Sequence, residues 1–254
     1  IKIETGNNRQ GIHIDELLEF ISIIKKYNKL HLEGISTHFA NIEDTTNHEY
    51  ANKQLEKFKY AIKICEDNNI NITYKHCSNS AATLLFPQTH FNMVRPGLIC
   101  YGMWPSNETY LSLLKTTHKK IILKPAFTWK TKIAQIKTIT SGEYIGYGCT
   151  YKTTHKTTIA IIPIGYYDGY DRGLSNQGYV LIHGQRAPIR GRICMNIFMV
   201  EITDIPKAKL EDEVVLLGKQ KNEYISAKYL ASLASTINYE ITTRVNERIE
   251  RIFI

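Results

Sequence analysis

Three short clusters carry most of the reactive side chains in the first part of this chain, and each closes a strand-like run. They are Thr37-His38-Phe39, His76-Cys77-Ser78-Asn79-Ser80 and Val94-Arg95-Pro96-Gly97. Imidazoles titrate near neutral pH and suit proton transfer. A hydroxyl beside free backbone N–H groups, as at Ser80 before a helix, suits a phosphate. The guanidinium of Arg95 is a donor that never loses its proton, and Gly97 lets backbone approach a ligand closely. Singly, each cluster has an ordinary reading: a capping Asn or Ser, a core His, a turn. Three of them at successive strand ends favour a shared site, because ends of parallel strands form the active face of such sheets. The second part of the chain adds Gly146-Tyr147-Gly148, Gly165-Tyr166-Tyr167-Asp168-Gly169-Tyr170 and Gly191-Arg192-Ile193-Cys194-Met195-Asn196. Glycine flanking tyrosine marks a turn with a half-buried aromatic. A phenol becomes an acid or base only when its pKa is drawn down from about 10, normally by neighbouring cations.

These clusters need a scaffold, and the hydrophobic pattern supplies one. Ile1 to Glu4 is strand-like, and Ile14, Leu17, Leu18, Ile21 and Ile24 recur at helical spacing. Leu32 to Phe39 and Ile72 to Cys77 are further strand candidates. Between them Leu55, Phe58, Ile62 and Cys65 mark a second amphipathic helix, ended by Asp67-Asn68-Asn69. Ala81 to Phe86 predicts a short helix stopped by Pro87, and Asn92 to Arg95 and Leu98 to Tyr101 predict extended chain. Alternating strands and helices build a parallel sheet. About four such units fit before residue 110, half of a closed eight-fold barrel. After the polar stretch Pro105 to Tyr110 the period changes to two, with Phe127, Trp129, Thr131 and Ile133 on one face. Thr158 to Ile164, Gly178 to Ile182, Ile197 to Ile202 and Glu213 to Leu217 follow as short strands. Ser226 predicts the N-cap of a helix to Ser235, and Val245 to Ile254 a closing strand. The pattern therefore gives α/β plus all-β: a parallel strand–helix array over residues 1–118, either half of a barrel or a small open sheet, then a mostly antiparallel β domain over residues 119–254.

Composition narrows the classes. The 254 residues are 43% hydrophobic and 22% charged, close to the soluble globular average. No apolar run approaches the roughly 20 residues of a membrane span, so no membrane role is expected. The net charge is +8, but the lysines are scattered, and even Lys115 to Lys124 is interrupted by Thr, His and Ile. Dispersed lysine reads as a solvated face, so no nucleic-acid partner is expected. The five cysteines are widely spaced and form no C-x-x-C, so neither a metal site nor a disulfide framework is expected. A reducing, cytoplasmic location follows. The chain opens on Ile1, inside strand-like sequence, with nothing resembling a signal peptide.

Together the motifs resemble alanine racemase, the pyridoxal-phosphate enzyme family that interconverts L- and D-alanine and supplies D-alanine for peptidoglycan. The resemblance runs through Lys2-Ile3-Glu4-Thr5-Gly6-Asn7-Asn8-Arg9, Thr37-His38-Phe39-Ala40, His76 to Ala82, Met93 to Gly97, Gly146-Tyr147-Gly148, Gly165 to Gly169, Gly191 to Met195 and Thr236-Ile237-Asn238-Tyr239-Glu240. It implies an eight-stranded TIM-type (β/α)8 barrel followed by a β domain, with residues 1–118 as the second half of that barrel and residues 119–254 as the β domain, pyridoxal 5'-phosphate as cofactor, alanine as substrate, and a homodimer whose active sites are shared between subunits. By resemblance Tyr147 is the base on the L-alanine side and His38 its hydrogen-bonded neighbour. Arg95 contacts the cofactor's pyridine nitrogen, supported by His76. Ser80, Gly97, Leu98 and Tyr239 surround the cofactor phosphate. Arg9 lies near the cofactor's phenolic oxygen and the substrate carboxylate, which the backbone of Met195 also contacts. Lys2 matches a lysine that is carbamylated in some members and then orients Arg9. Tyr147 and Met195 would come from the partner subunit.

Three departures stand out. Asn196 replaces the family's usual Asp, and Gly6-Asn7-Asn8-Arg9 replaces Gly-Met-Gly-Arg, with Asn8 where a second glycine usually permits an unusual backbone angle. Above all, no segment matches the Ala-Asn-Ala-Tyr-Gly-like context of the family's cofactor lysine, which forms the Schiff base and is the base on the D-alanine side. The reading that follows is an alanine racemase fragment inactive alone. The alternatives are a remnant or split-gene piece needing the missing half, and a racemase of broader amino-acid specificity. Related decarboxylases do not typically carry the Gly-Tyr-x-Asp-Gly and Gly-Arg-x-Cys-Met motifs.

Overall fold

The computed structural model describes residues 1–118 and 121–253 and divides into two compact units, residues 1–126 and 127–254. The domain boundary expected at 118–119 falls at the edge of the described residues.

In the first unit the parallel pattern starts at the first residues. Lys2 bridges Ser36 in parallel, with Ile3 N–H donating to Ser36 O at 2.7 Å. Strand β1 (Gly34–Ser36) then pairs in parallel with β2 (Tyr74–His76), Ile35 facing Lys75. Beyond β2, Arg95 N–H donates to Ser78 O at 2.9 Å. Helices α1 (Leu17–Lys25) and α2 (Glu49–Asp67) connect these segments. α2 buries Ala51, Gln54, Leu55, Phe58, Ala61, Ile62 and Cys65, the three-four spacing of one helical face. That face meets Ile3, Ile35, Phe39 and Cys77 in a single core, in which Phe58 and Cys77 are fully buried. The short helix α3 (Ser80–Leu85) starts directly after β2, with Asn79 accepting from Ala82 N–H at 3.0 Å as N-cap.

Two expectations for this unit are corrected. Leu98–Tyr101 is a 3-10 turn rather than extended chain, stopped by Gly102 at φ 71°, where an added Cβ would lie 1.8 Å from Lys124 O. A four-residue apolar run carries no readable period, so the turn was hidden. Asn92–Arg95 forms no strand: the Met93 N–H closes a local turn on His90 O, and the single Arg95 bond to Ser78 O does not extend into a ladder. Helix α4 (Asn107–Thr117) was not expected, because its buried face includes Thr109 and Ser112 beside Leu113. Its signal was Ser106, whose hydroxyl caps Thr109 N–H at 2.9 Å.

The second unit is built from antiparallel pairs. β9 (Glu213–Gln220) is the centre of a five-stranded sheet. β3 (Trp129–Lys132), β6 (Tyr179–Ile182) and β10 (Glu223–Ile225) all pair with it, and β7 (Gln185–Pro188) continues from β6. β4 (Gln135–Ile139), β5 (Thr157–Ile162) and β8 (Phe198–Glu201) make a second sheet. Tyr170 stacks on Phe198 of β8 with ring centroids 4.9 Å apart and meets Trp129 of β3 edge-on. α5 (Ala227–Leu233) begins at the expected cap, Ser226, whose hydroxyl accepts from Tyr229 N–H at 3.0 Å; α6 (Asn238–Thr243) follows. The strand expected at Val245–Ile254 is absent through residue 253, and Ile254 lies outside the described residues. Its apolar positions do not share a buried face: Val245 is buried, while Ile252 and Phe253 are exposed. Asn246 and Arg251 tie its backbone into turns.

Candidate active site

In the first unit the candidate residues gather at the ends of the parallel segments. Arg95 is half-buried there, and its guanidinium is fixed from several sides. Nη1 donates to His76 Nδ1, and Nη2 donates to Thr37 O at 2.9 Å and more weakly to Cys77 O and His38 Nδ1, both at 3.4 Å. Burial lowers the Arg95 pKa, yet a guanidinium keeps its proton. Among the described residues no acceptor meets its Nε–H, so that donor remains for a ligand acceptor.

Both histidines are held neutral. Burial, then the cations Arg9, Arg95 and Lys2, push His38 down to about 4. Burial and Arg95 lower His76 as well. A neutral imidazole that accepts on Nδ1 carries its proton on Nε2. Each ring is thus a directed donor on its far side, the tautomer following from the Arg95 contacts.

Around Ser80 the geometry leaves room. Ser80 is buried and its Oγ accepts from Gly97 N–H at 2.9 Å. A Cβ added at Gly97 would meet nothing within 4 Å. The 3-10 turn at Leu98 opens with N–H groups that have no partner within the turn. A hydroxyl, a glycine facing open space and turn amides are the donor set a phosphate needs. With the unshared donor of Arg95, these residues fit pyridoxal phosphate at both its phosphate and its ring nitrogen.

Lys2 Nζ donates to Gln10 Oε1 at 3.1 Å. As an ammonium it has only donors, so it has no acceptor to offer the Arg9 guanidinium. Arg9 is exposed at the end of the Gly6–Arg9 loop.

The second unit presents the remaining candidates. Tyr147 is 73% exposed on a 3-10 turn between Gly146 (φ 75°) and Gly148 (φ 73°). An added Cβ would strike Met199 Cε at 2.7 Å from the first and Arg192 Nη1 at 2.8 Å from the second. Those side-chain ends can move aside, but the positive φ on both sides of the tyrosine is a conformation that favours glycine. Met195 is also exposed, on a turn pressed against Gly165, where an added Cβ would lie 2.2 Å from Met195 O. Tyr167 N–H donates to Met195 O at 3.0 Å, and among the described residues the Met195 N–H has no acceptor. Tyr239 lies in the first turn of α6.

Sequence reasoning missed Gln54. It is 1% exposed on the apolar face of α2. It accepts from Ala40 N–H at 2.9 Å and donates to Thr5 Oγ1 and His38 O, both at 3.3 Å. One side chain thus fixes the backbone on both sides of Phe39 and the start of the Arg9 loop. Its signal was legible: a polar residue at a position where the helical period calls for an apolar one.

Profiles for two families match the chain. "Alanine racemase, N-terminal domain" covers residues 1–105 and "Alanine racemase, C-terminal domain" covers residues 126–253. The chain belongs to the alanine racemase family. Alanine racemase from Leptospira interrogans is 43% identical over all of this chain, which spans 65% of that protein, and the one from Carboxydothermus hydrogenoformans is 41% identical, with 67% spanned. The alanine racemase fold is shared as well. The Bacillus anthracis alanine racemase with bound L-Ala-P superposes over the whole chain with a TM-score of 0.90 at 37% identity. The Clostridium difficile alanine racemase gives 0.90 at 36% identity, and this chain covers 64% of each. Among the described residues no helix is long and apolar enough to cross a membrane, and no group of three His, Cys, Asp or Glu side chains is placed to hold a metal ion.

Proposed function

We propose that this chain forms part of a pyridoxal-phosphate alanine racemase acting on free alanine in the cytoplasm, with residues 1–118 as the second half of its barrel and residues 119–254 as its β domain. The observation that carries the proposal is Arg95, locked by His76, Thr37 O and Cys77 O with a donor left over. Bound at this site, pyridoxal phosphate withdraws electron density from the Cα of the amino acid it holds, weakening the Cα–H bond. Ser80, the backbone of Gly97 and Leu98, and Tyr239 hold its phosphate. Arg95 donates to its ring nitrogen and, having no proton to give up, keeps that nitrogen an unprotonated acceptor. This moderates electron withdrawal and disfavours side reactions such as transamination.

Tyr147 takes or returns the α-proton on the L-alanine face. His38 donates its Nε2–H to the Tyr147 oxygen, which favours the phenolate and brings the phenol into range as a base. Arg9 and the Met195 N–H hold the substrate carboxylate. Tyr147 and Met195 are supplied by a second copy of the chain, so the working unit is a homodimer.

A racemase needs a base on each face of Cα. No segment of these 254 residues resembles the context of the family's cofactor lysine, so we assign them the L-face base and the ring-nitrogen donor and expect no turnover from them alone. The test is L-to-D-alanine conversion, with pyridoxal phosphate, by this chain co-expressed with the first third of the Leptospira relative. Tyr147→Phe is expected to lower turnover at least about 100-fold while cofactor absorbance is retained. Equal loss of absorbance would make the tyrosine structural and overturn its assignment.

A further inference from the structure

Arg9 is the most exposed of the cations grouped at the strand ends, and its guanidinium makes no hydrogen bond or ion pair among the described residues. Its placement is left to the loop that carries it, since Lys2 is turned to Gln10. The loop that carries it wraps around one carboxylate. Gly6 N–H donates to Glu4 Oε1, and the amides of the residues that follow, through Arg9, lie close enough to the Glu4 carboxylate to lower its pKa. Gly6 (φ 135°) and Asn8 (φ 54°) both adopt positive backbone angles, which fold the loop back on the Glu4 carboxylate that the Gly6 amide bonds. The rim is tied down elsewhere: Tyr50 Oη donates to Gly6 O at 2.8 Å, and Asn7 Nδ2 donates to Phe39 O at 3.3 Å.

We propose that Glu4 is the positioning residue for Arg9: its carboxylate organises the Gly6–Arg9 loop and so sets where the guanidinium stands. The substrate carboxylate as the ligand of Arg9 rests on the racemase reading above; the loop geometry does not. Glu4 touches no reacting atom and acts through the backbone. Burial alone would raise its pKa, and the loop amides hold it below the ordinary carboxylate range, so it is charged at neutral pH.

The test is NMR on the full chain, comparing wild type with Glu4→Gln, which keeps the size and removes the charge. The expected result is amide exchange at Gly6, Asn7, Asn8 and Arg9 about tenfold faster or more, a lower order parameter at the Arg9 Nε, and unchanged exchange through Leu55–Cys65 of α2. Unchanged loop exchange overturns the proposal. So does a loosened loop with an unchanged Arg9 Nε, which would make Glu4 a structural cap only. If Glu4→Gln does not fold, Asn8→Val, which strains the left-handed residue and leaves Glu4 in place, is expected to give the same loosening. A rigid loop in that variant overturns the proposal equally. Neither readout involves alanine turnover, so failure of the racemase reading and failure of this one are separate outcomes.

Discussion

The charge state of His38 is the feature of the site most open to measurement. The ring sits half-buried at a strand end facing Arg9, Arg95 and Lys2, and its pKa is pushed from 6.5 down to about 4. Between those values the unfolded chain holds a proton that the folded chain refuses. Stability therefore falls as pH drops through 6.5 and levels off below about 4. Fully expressed, the gap is worth about 3.4 kcal/mol; the ring is about half exposed, and solvent screening brings the expected loss to about 1–2 kcal/mol. His76 and His48 are shifted the same way and add to the slope. The His38 share is isolated with His38→Gln: the difference in urea-unfolding free energy between pH 7 and pH 4.5 is expected to shrink by about 1 kcal/mol. A direct NMR titration of the His38 ring is expected to show a midpoint below 5. A midpoint at or above 6.5 would refute the reasoning, because it would mean that the cations do not face the ring or that a carboxylate does.

Three further perturbations follow. Gln54→Leu removes the buried amide that accepts from the part-buried Ala40 N–H and donates to Thr5 Oγ1 and His38 O, and is expected to cost about 1–2 kcal/mol in urea unfolding; a loss under about 0.5 kcal/mol would show that water or a shifted backbone replaces the amide. Gly165→Ala forces a Cβ against Met195 O and Cys194 O and is expected to destabilise the second unit by about 3 kcal/mol in the same assay; a neutral result would mean that the Met195 turn moves freely. Arg95→Glu, in the assembled enzyme, is expected to raise the basicity of the cofactor ring nitrogen and increase pyruvate formation from L-alanine relative to racemisation; an unchanged ratio would remove Arg95 from that role.

The parts of the fold legible in the sequence were those where one face is buried and the other is not. The three-four spacing of α2 and the alternation around Trp129 follow from that asymmetry. The caps Asn79 and Ser226 were legible because only a few side chains can satisfy a helix's first amides. α4 was hidden because Thr109 and Ser112 occupy its inner face, and the Leu98 turn because four apolar residues have no period. The strand expected at the C-terminus failed because the segment's backbone groups are spent elsewhere: Arg251 takes the carbonyls of Val245 and Asn246, and the Asn246 N–H goes to Asp168 O. For the site, the residue types at 38, 76, 80 and 95 marked it, since each closes a strand-like run. Their charge states were not legible, because the neutrality of His38 depends on Arg9 and Arg95, which lie 29 positions before it and 57 after it in the chain. Gln54 left a trace, a polar residue on the apolar face of α2, whereas the bond from the Gly6 amide to Glu4 is a backbone contact and leaves little trace in residue type.

The central claim is that this chain carries the L-face base and the ring-nitrogen donor of an alanine racemase but not the opposing base. It is tested most directly by following D-alanine formation from L-alanine with pyridoxal phosphate, for the chain alone and for the chain co-expressed with the first third of the Leptospira relative. The account predicts no turnover from the chain alone and measurable turnover from the pair, abolished by Tyr147→Phe. Racemisation by the 254 residues alone, or by the pair with Tyr147 replaced, would contradict it.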